Sequence, residues 1–202
     1  MAPLHKTALA LAGSFAALTF AFAPATASAH LVPAPCDFVT GGGFVFKDDG
    51  LMTNFGVHAG CKNGDFWGEV NVLDHENQFH LKSVQITGYL FDPAVPNSRD
   101  FCGWGRINDQ SELIQFRIRV TDNGEPGTND QFGVIIDNHF SSGDRFFRIS
   151  TRTLGGGNGG GGNIQLHKVN NSTTKNPGFF SDFDETSMCG DLSGPNAPTL
   201  TD

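Results

Sequence analysis

Oxygen-bearing side chains concentrate in one ten-residue segment of this 202-residue sequence. Residues 121–130 combine carboxylates with Asn amides, and calcium takes about six to eight oxygen ligands of these kinds. We expect Asp122, Asn129 and Asp130 to be the ligands of such a calcium site. The segment lacks the EF-hand register, and its Asn, Asp, Gly and Pro residues are equally typical of a polar hairpin loop. Calcium is therefore a candidate cofactor, and the loop interpretation stays open beside it.

His30 offers a second kind of metal chemistry. Cleavage of the chain after Ala29 makes His30 the first residue, so that its amine and imidazole both become nitrogen ligands suited to copper. A second histidine would complete a histidine brace, as in secreted lytic polysaccharide monooxygenases, and the candidates are His58, His80, His139 and His167. The residues after His30 resemble no start motif of those enzymes. We therefore favour ordinary structural roles for the histidines and keep a copper-dependent carbohydrate-active protein as an alternative.

Two tryptophans, Trp67 and Trp104, are candidates for ligand binding, because planar aromatic rings stack on the faces of sugars. Trp67 alternates out of phase with Phe66 and Val70, which places it on the outer side of a strand. A tryptophan in such a position also commonly covers the edge of a core. For hydrolysis the sequence has no Gly-x-Ser-x-Gly elbow, and its carboxylates cluster in loops. We predict no catalytic residues.

The four cysteines indicate disulfide bonds. They stand at positions 36, 61, 102 and 189, too far apart for the paired spacing of a zinc site. Four cysteines allow three pairings, of which we predict Cys61 with Cys102 and Cys36 with Cys189. The second bridge would pin a weakly patterned tail to the start of the domain.

The first 29 residues are typical of a secretory signal peptide. Lys6 precedes an uncharged apolar run over residues 7–22, and Ala27 and Ala29 occupy the −3 and −1 positions before the expected cleavage site. The run is shorter than the roughly 20 apolar residues that span a membrane. The formal net charge of −8 opposes binding to nucleic acid. We predict a secreted, extracellular monomer that neither spans a membrane nor binds nucleic acid.

Alternation of apolar and polar residues, rather than helical periodicity, predicts the elements that position these groups. The pattern is cleanest over residues 114–120, where Arg117 and Arg119 are expected on the solvent side. A slip of phase near Lys82 and Ser83 predicts a β-bulge. We expect an all-β fold over residues 30–169, either an antiparallel β-sandwich or a partly open barrel of about nine short strands. An irregular tail, residues 170–202, is expected to follow without a helix and to be tethered by a disulfide.

Several short motifs occur in one order along the chain: Thr40-Gly-Gly-Gly43, Phe55-Gly-Val-His-Ala59, Phe79-His-Leu81, and a Gly-rich run into Asn163-Ile-Gln-Leu-His-Lys168. In this order they resemble the post-COAP domain, a family of secreted bacterial β-domains, over roughly residues 38–168. The resemblance implies an exported all-β module, often attached to larger surface proteins, and carries no catalytic residues with it. We expect a non-catalytic binding or structural module whose partner is a cell-surface or extracellular glycan or protein.

Overall fold

A computed structural model describes residues 30–47, 49–137, 146–155, 160–173 and 184–194. The predicted signal peptide and His139 lie outside these residues. The described chain forms nine strands, a short α-helix and one turn of 3-10 helix: β1 Phe38–Phe46, β2 Met52–Lys62, β3 Asp65–Asp74, β4 Phe79–Asp92, β5 Val95–Ile107, β6 Ile114–Thr121, β7 Gln131–Asp137, β8 Phe146–Thr153, β9 Gly161–His167, α1 Glu185–Cys189 and the 3-10 helix Gly190–Leu192. The prediction of an all-β fold is confirmed.

All nine strands belong to one antiparallel sheet in the order β8-β7-β6-β5-β4-β3-β2-β1-β9, which curls into a half-barrel. Consecutive strands are neighbours as far as β8, whereas β9 returns to pair with β1. Of the two architectures expected, the structure is therefore the partly open barrel. The predicted bulge is confirmed, because the register of β4 and β5 shifts between Ser83 and Gln85 and twice more further along.

The concave side of the sheet holds the hydrophobic core, and we call the opposite side the outer face. Alternate residues such as Val57, Val72 and Ile118 point inward and are fully or almost fully buried. Phe55 from β2 stacks on Phe132 from β7, with ring centroids 3.9 Å apart and nearly parallel planes. Since β2 and β7 are distant in strand order, this contact shows that the curl brings the two ends of the sheet together.

Glycine allows β1 to approach β9 closely. A Cβ at Gly43 would lie 2.1 Å from the carbonyl oxygen of Gly161, and one at Gly41 would lie 2.8 Å from that of Asn163. Any larger residue would therefore push β9 away. The Thr40-Gly-Gly-Gly43 motif thus has a structural role at its first and third glycines.

The predicted disulfide pairing is wrong. Cys36 is bonded to Cys61, and Cys102 is bonded to Cys189. Cys36 lies just before β1, and the pairing of Phe38 with Gly60 brings it beside Cys61. Cys189 is the last residue of α1, which packs on β4 and β5. The tail is therefore tethered to the middle of the sheet and not to the start of the domain.

The short helix in the tail is a second departure from the sequence-based expectation. Asp184 caps α1 by accepting a hydrogen bond from the backbone of Ser187 at 2.7 Å. Met188 of α1 and Leu192, just after it, are buried between this segment and the sheet. Five helical residues are too few to produce a visible helical period, so the sequence pattern missed them. In the described part of the chain, no helix has the length and apolar character to cross a membrane.

Candidate functional site

The carboxylates of the 121–130 loop hold the free edge of β9. Asp122 Oδ2 accepts a hydrogen bond from the backbone N–H of Leu166 at 2.7 Å, and Asp130 Oδ2 accepts one from Ile164 at the same distance. The other oxygens of these carboxylates accept from the backbone of Gly124 and Asn123, within the loop itself. The loop therefore supplies partners for edge groups that would otherwise be exposed to other strands.

Two of the predicted calcium ligands, Asp122 and Asp130, therefore accept hydrogen bonds from the backbone of β9 and of the loop itself. Asp130 is fully buried, and Asn129 contributes its backbone oxygen to the side chain of Asn123. Among the described residues, no group of three or more His, Cys, Asp or Glu side chains is placed to hold a metal ion. Calcium binding at this loop stays a prediction.

The outer face of β4, β5 and β6 lies beneath residues 184–194, and we call it the covered half. At its centre is Asp100 of β5, fully buried between Arg117 and Arg119 of β6. Asp100 Oδ2 accepts hydrogen bonds from Nε and Nη2 of Arg117 at 2.9 and 2.5 Å. Its Oδ1 accepts from Nε of Arg119 at 2.5 Å. One carboxylate faces two guanidinium groups, which leaves a positive charge to be balanced.

Glu185 of α1 supplies that second negative charge. Its Oε1 accepts from Arg117 Nη1 at 2.5 Å, and its Oε2 accepts from His30 Nδ1 at 3.0 Å. Burial alone would raise the pKa of this carboxyl, but the hydrogen bonds from His30 and Arg117 outweigh burial and hold its pKa well below its ordinary value. The ionised carboxylate thus fixes α1 against the sheet at neutral pH.

The expectation that Arg117 and Arg119 face solvent is wrong, since their relative exposures are 0% and 5%. Alternation correctly placed them opposite the core. It could not reveal that a tail more than 60 residues further along the chain packs over that side. Cys189 was the one signal of this packing, because a cysteine in a patternless tail needs a partner on the domain.

His30 belongs to the covered half as well. Its Nδ1 donates to Glu185, and its Nε2 accepts from Nη2 of Arg119 at 2.5 Å. Both ring nitrogens are therefore occupied, one of them by a cationic donor. The structure does not bring a second described histidine into this cluster, and the copper interpretation stays a prediction.

The outer face of β9, β1, β2 and β3 is different, and we call it the open half, because no described segment packs over it. Four aromatic rings, which we call the ring cluster, lie side by side across its strands: His167, Phe38, His58 and Trp67. Phe38 stacks on His167 with centroids 4.4 Å apart, and Trp67 lies 6.2 Å from Phe38 and 5.1 Å from His58. Each of the four residues is partly exposed.

Register explains why these rings meet. Phe38 pairs with His167 on one side and with Gly60 on the other, and Gly60 pairs with Trp67. Since Gly60 has no side chain, Phe38 and Trp67 can approach each other above it. Lys62 places its ammonium 5.4 Å from the Trp67 ring centre, a cation–π distance. Sequence alone identified Trp67, but the other three rings come together only through strand pairing.

Histidines orient the polar groups beside the ring cluster. His167 shares a hydrogen bond of 2.8 Å with Thr40 Oγ1, and His80 shares one of 2.5 Å with Asn71 Oδ1. An imidazole N–H that donates to an amide oxygen fixes the orientation of that amide. The Nδ2 donors of Asn71 then point away from His80 and have no partner among the described residues. The open half therefore combines aromatic surface with pre-oriented neutral hydrogen-bonding groups.

Trp104 is not part of this surface. It lies on β5 in register with Gln85 and Gln115, two strands away from Trp67 on β3. It is partly buried, and no ring contact joins it to Trp67 among the described residues. The structure thus separates the two tryptophans that the sequence grouped as one ligand-binding pair.

Comparisons with family models, with curated proteins and with solved structures find no match to this chain. The resemblance to the post-COAP domain stays a prediction that depends on its motifs. Any function must therefore be argued from the geometry of the two halves of the outer face.

Proposed function

We propose that the chain is a secreted, non-catalytic module that binds extracellular carbohydrate through the open half. The ring cluster carries this proposal. Rings on a partly exposed sheet surface, next to oriented amide and hydroxyl groups, form the mixture of apolar surface and placed polar groups that binding sites use. Sugars present the same mixture, since their C–H faces stack on rings and their hydroxyls hydrogen-bond at the edges.

Charge supports a neutral ligand of this kind. The chain carries a formal net charge of −8, which repels anionic surfaces. The ring cluster contains no acidic or basic residue when His is counted as neutral, and one charge of each sign, Lys62 and the exposed Glu69, stands at its border. The two disulfides are compatible with an extracellular protein.

Affinity electrophoresis tests the proposal directly. The secreted full chain, with both disulfides formed, is run through gels that contain hydroxyethyl cellulose, xylan, galactomannan or laminarin. We expect at least one neutral polysaccharide to retard it, and Trp67→Ala to weaken binding about tenfold or more. Trp104→Ala is the matched control and should bind as the wild type does. Retardation by none of the gels, or loss of binding in Trp104→Ala alone, would contradict the proposal.

Secretion is a separate part of the proposal and has its own test. The predicted cleavage after Ala29 makes His30 the first residue of the exported protein. Intact-mass measurement of the secreted chain should give the mass of residues 30–202 with two disulfides. An exported protein that retains residues 1–29 would refute this part.

A further inference from the structure

Two glycines on the open half have no structural explanation within the described chain. Gly42 of β1 and Gly56 of β2 are paired in register, and both lie on the outer face. Neither has a positive φ. A Cβ added to Gly56 would meet nothing within 4 Å, and one added to Gly42 would make only ordinary contacts, the nearest at 3.4 Å.

Their neighbours show the contrast. Gly41, Gly43 and Gly60 would each bring a Cβ within 3.0 Å of a backbone atom. Glycine in a strand interior destabilises the strand relative to alanine, because it loses more conformational freedom on folding. Where neither backbone conformation nor packing requires it, glycine marks a place at which something else approaches the backbone closely.

The pair forms the floor of a trough that runs across the strands. In one row, Asn163 of β9 pairs with Gly42, which pairs with Gly56, which pairs with Asn71 of β3. With strands about 4.8 Å apart, this row spans about 14 Å. The trough therefore has an asparagine at each end and bare backbone between them. The amide of Asn163 is turned to the 121–130 loop, where its Nδ2 donates to Glu125 Oε1 at 3.2 Å.

Side chains two residues away on each strand form its walls. On one side stand Gln165, Thr40, His58 of the ring cluster and Glu69, and on the other stand Phe44, Asn54 and Leu73. Thr40 and Phe44 lie about 13 Å apart along β1. Asn54 Oδ1 is held by His75 at 2.6 Å, so this wall too carries an amide with a fixed orientation.

We infer that the trough takes an internal segment of a linear, neutral polysaccharide that lies across β9, β1, β2 and β3. This inference rests on the proposed function and names its ligand class. A span of about 14 Å needs several sugar rings in a row. Among these trough and wall residues Glu69 alone carries a charge with His counted as neutral, and its exposed carboxylate repels uronic acids, which favours neutral sugars. A branched chain would place its side groups against the walls.

Gly56→Leu is the decisive variant, since a Cβ at this position meets nothing within 4 Å and the larger side chain would fill the trough. The full chain and this variant are titrated with cellohexaose, xylohexaose, mannohexaose and laminarihexaose by calorimetry, with cellobiose, xylobiose and mannobiose as short probes. Laminaribiose completes the short probes, and hexagalacturonate is the charged comparison. We expect one neutral hexasaccharide to bind at least about tenfold more tightly than its disaccharide, and Gly56→Leu to lose that binding. Val84→Leu, on an exposed residue of β4, is the matched control and should change neither.

The outcomes separate the two proposals. If Trp67→Ala loses binding but Gly56→Leu binds like the wild type, the trough is refuted and the ring cluster remains the site. Equal affinity for the disaccharide and the hexasaccharide, or preference for oligogalacturonate, refutes the linear neutral ligand. A lower melting temperature in Gly56→Leu shows that the chain itself covers the trough, and this also overturns the inference. Binding of no oligosaccharide or polysaccharide refutes both proposals.

Discussion

The two halves of the outer face are built from the same sheet with the same alternation, yet the described part of the chain covers one of them and leaves the other uncovered. On the covered half, outward charged residues such as Arg117 are buried under α1 and neutralised by Asp100 and Glu185. On the open half, the corresponding positions carry rings, amides and two unexplained glycines. The period of two specifies which side of the strand a residue occupies, but not what lies on that side.

The two halves also differ in where their charged side chains lie. Buried ion pairs need complete neutralisation and hydrogen bonding, and the covered half provides both. The open half keeps its amides and its ring cluster neutral and partly exposed, and its charged residues Glu69 and Lys62 are exposed instead of buried, which leaves this surface available to a ligand. We therefore interpret the covered half as structural and the open half as functional, and the following variants test that division.

The largest effect is expected from removing the central carboxylate of the covered half. Asp100→Ala leaves two buried guanidinium groups with one fewer counter-charge, and breaking such a pair costs about 3–5 kcal/mol of unfolding free energy. Urea unfolding monitored by tryptophan fluorescence measures this loss. Glu112→Ala, at an exposed position before β6, is the control and should change stability by less than about 0.5 kcal/mol. A loss below about 1 kcal/mol for Asp100→Ala would contradict a buried, structural role.

The two disulfides should contribute differently to the free energy of unfolding. Removing a disulfide typically costs about 2–4 kcal/mol, and more for a longer loop. The Cys102–Cys189 bridge closes a sequence separation of 87, against 25 for Cys36–Cys61. The Cys102→Ser, Cys189→Ser double variant should therefore be about 1 kcal/mol less stable than its Cys36→Ser, Cys61→Ser counterpart. Peptide mapping without reduction checks the pairing first, and a Cys61–Cys102 peptide would contradict the structure.

Acid should loosen α1 before it unfolds the sheet. The pKa of Glu185 is held below its ordinary value in the folded protein, so in acid the folded state binds fewer protons than the unfolded state. The free energy of unfolding therefore falls as the pH drops through the ordinary pKa of a glutamate carboxyl and below it. Glu185→Gln should cost about 1.5–3 kcal/mol at neutral pH and show a weaker loss of stability on acidification. Unfolding free energies at neutral and acidic pH measure both effects. An identical acid dependence in the two proteins would contradict this role.

The smallest effect, and one of opposite sign, is expected on the open half. Gly56→Ala should stabilise the fold by about 0.5–1 kcal/mol, because the new Cβ meets nothing and the unfolded chain loses freedom. Gly43→Ala is the matched control in the neighbouring strand and should destabilise, since its Cβ would lie against the backbone of Gly161. Thermal unfolding distinguishes them. Destabilisation by Gly56→Ala would mean that this glycine has a structural role after all.

Part of this architecture follows from the sequence alone. Alternation predicted the strands and the bulge near Ser83, because both are local patterns. The disulfide partners and the burial of Arg117 depend on contacts between distant segments, and spacing does not specify those. Trp67 was visible as an outward ring, whereas the pairing of Gly42 with Gly56 became visible only once the register was known.

The division between the two halves is tested most directly by recording the ¹H–¹⁵N spectrum of the full chain while the best-binding hexasaccharide is added. The account predicts that the largest shifts occur at the backbone amides of Gly42 and Gly56 and at the indole N–H of Trp67. The indole of Trp104 and the amides of residues 115–119 should stay unchanged. Shifts that centre on β5 and β6, or that spare both glycines, would contradict it.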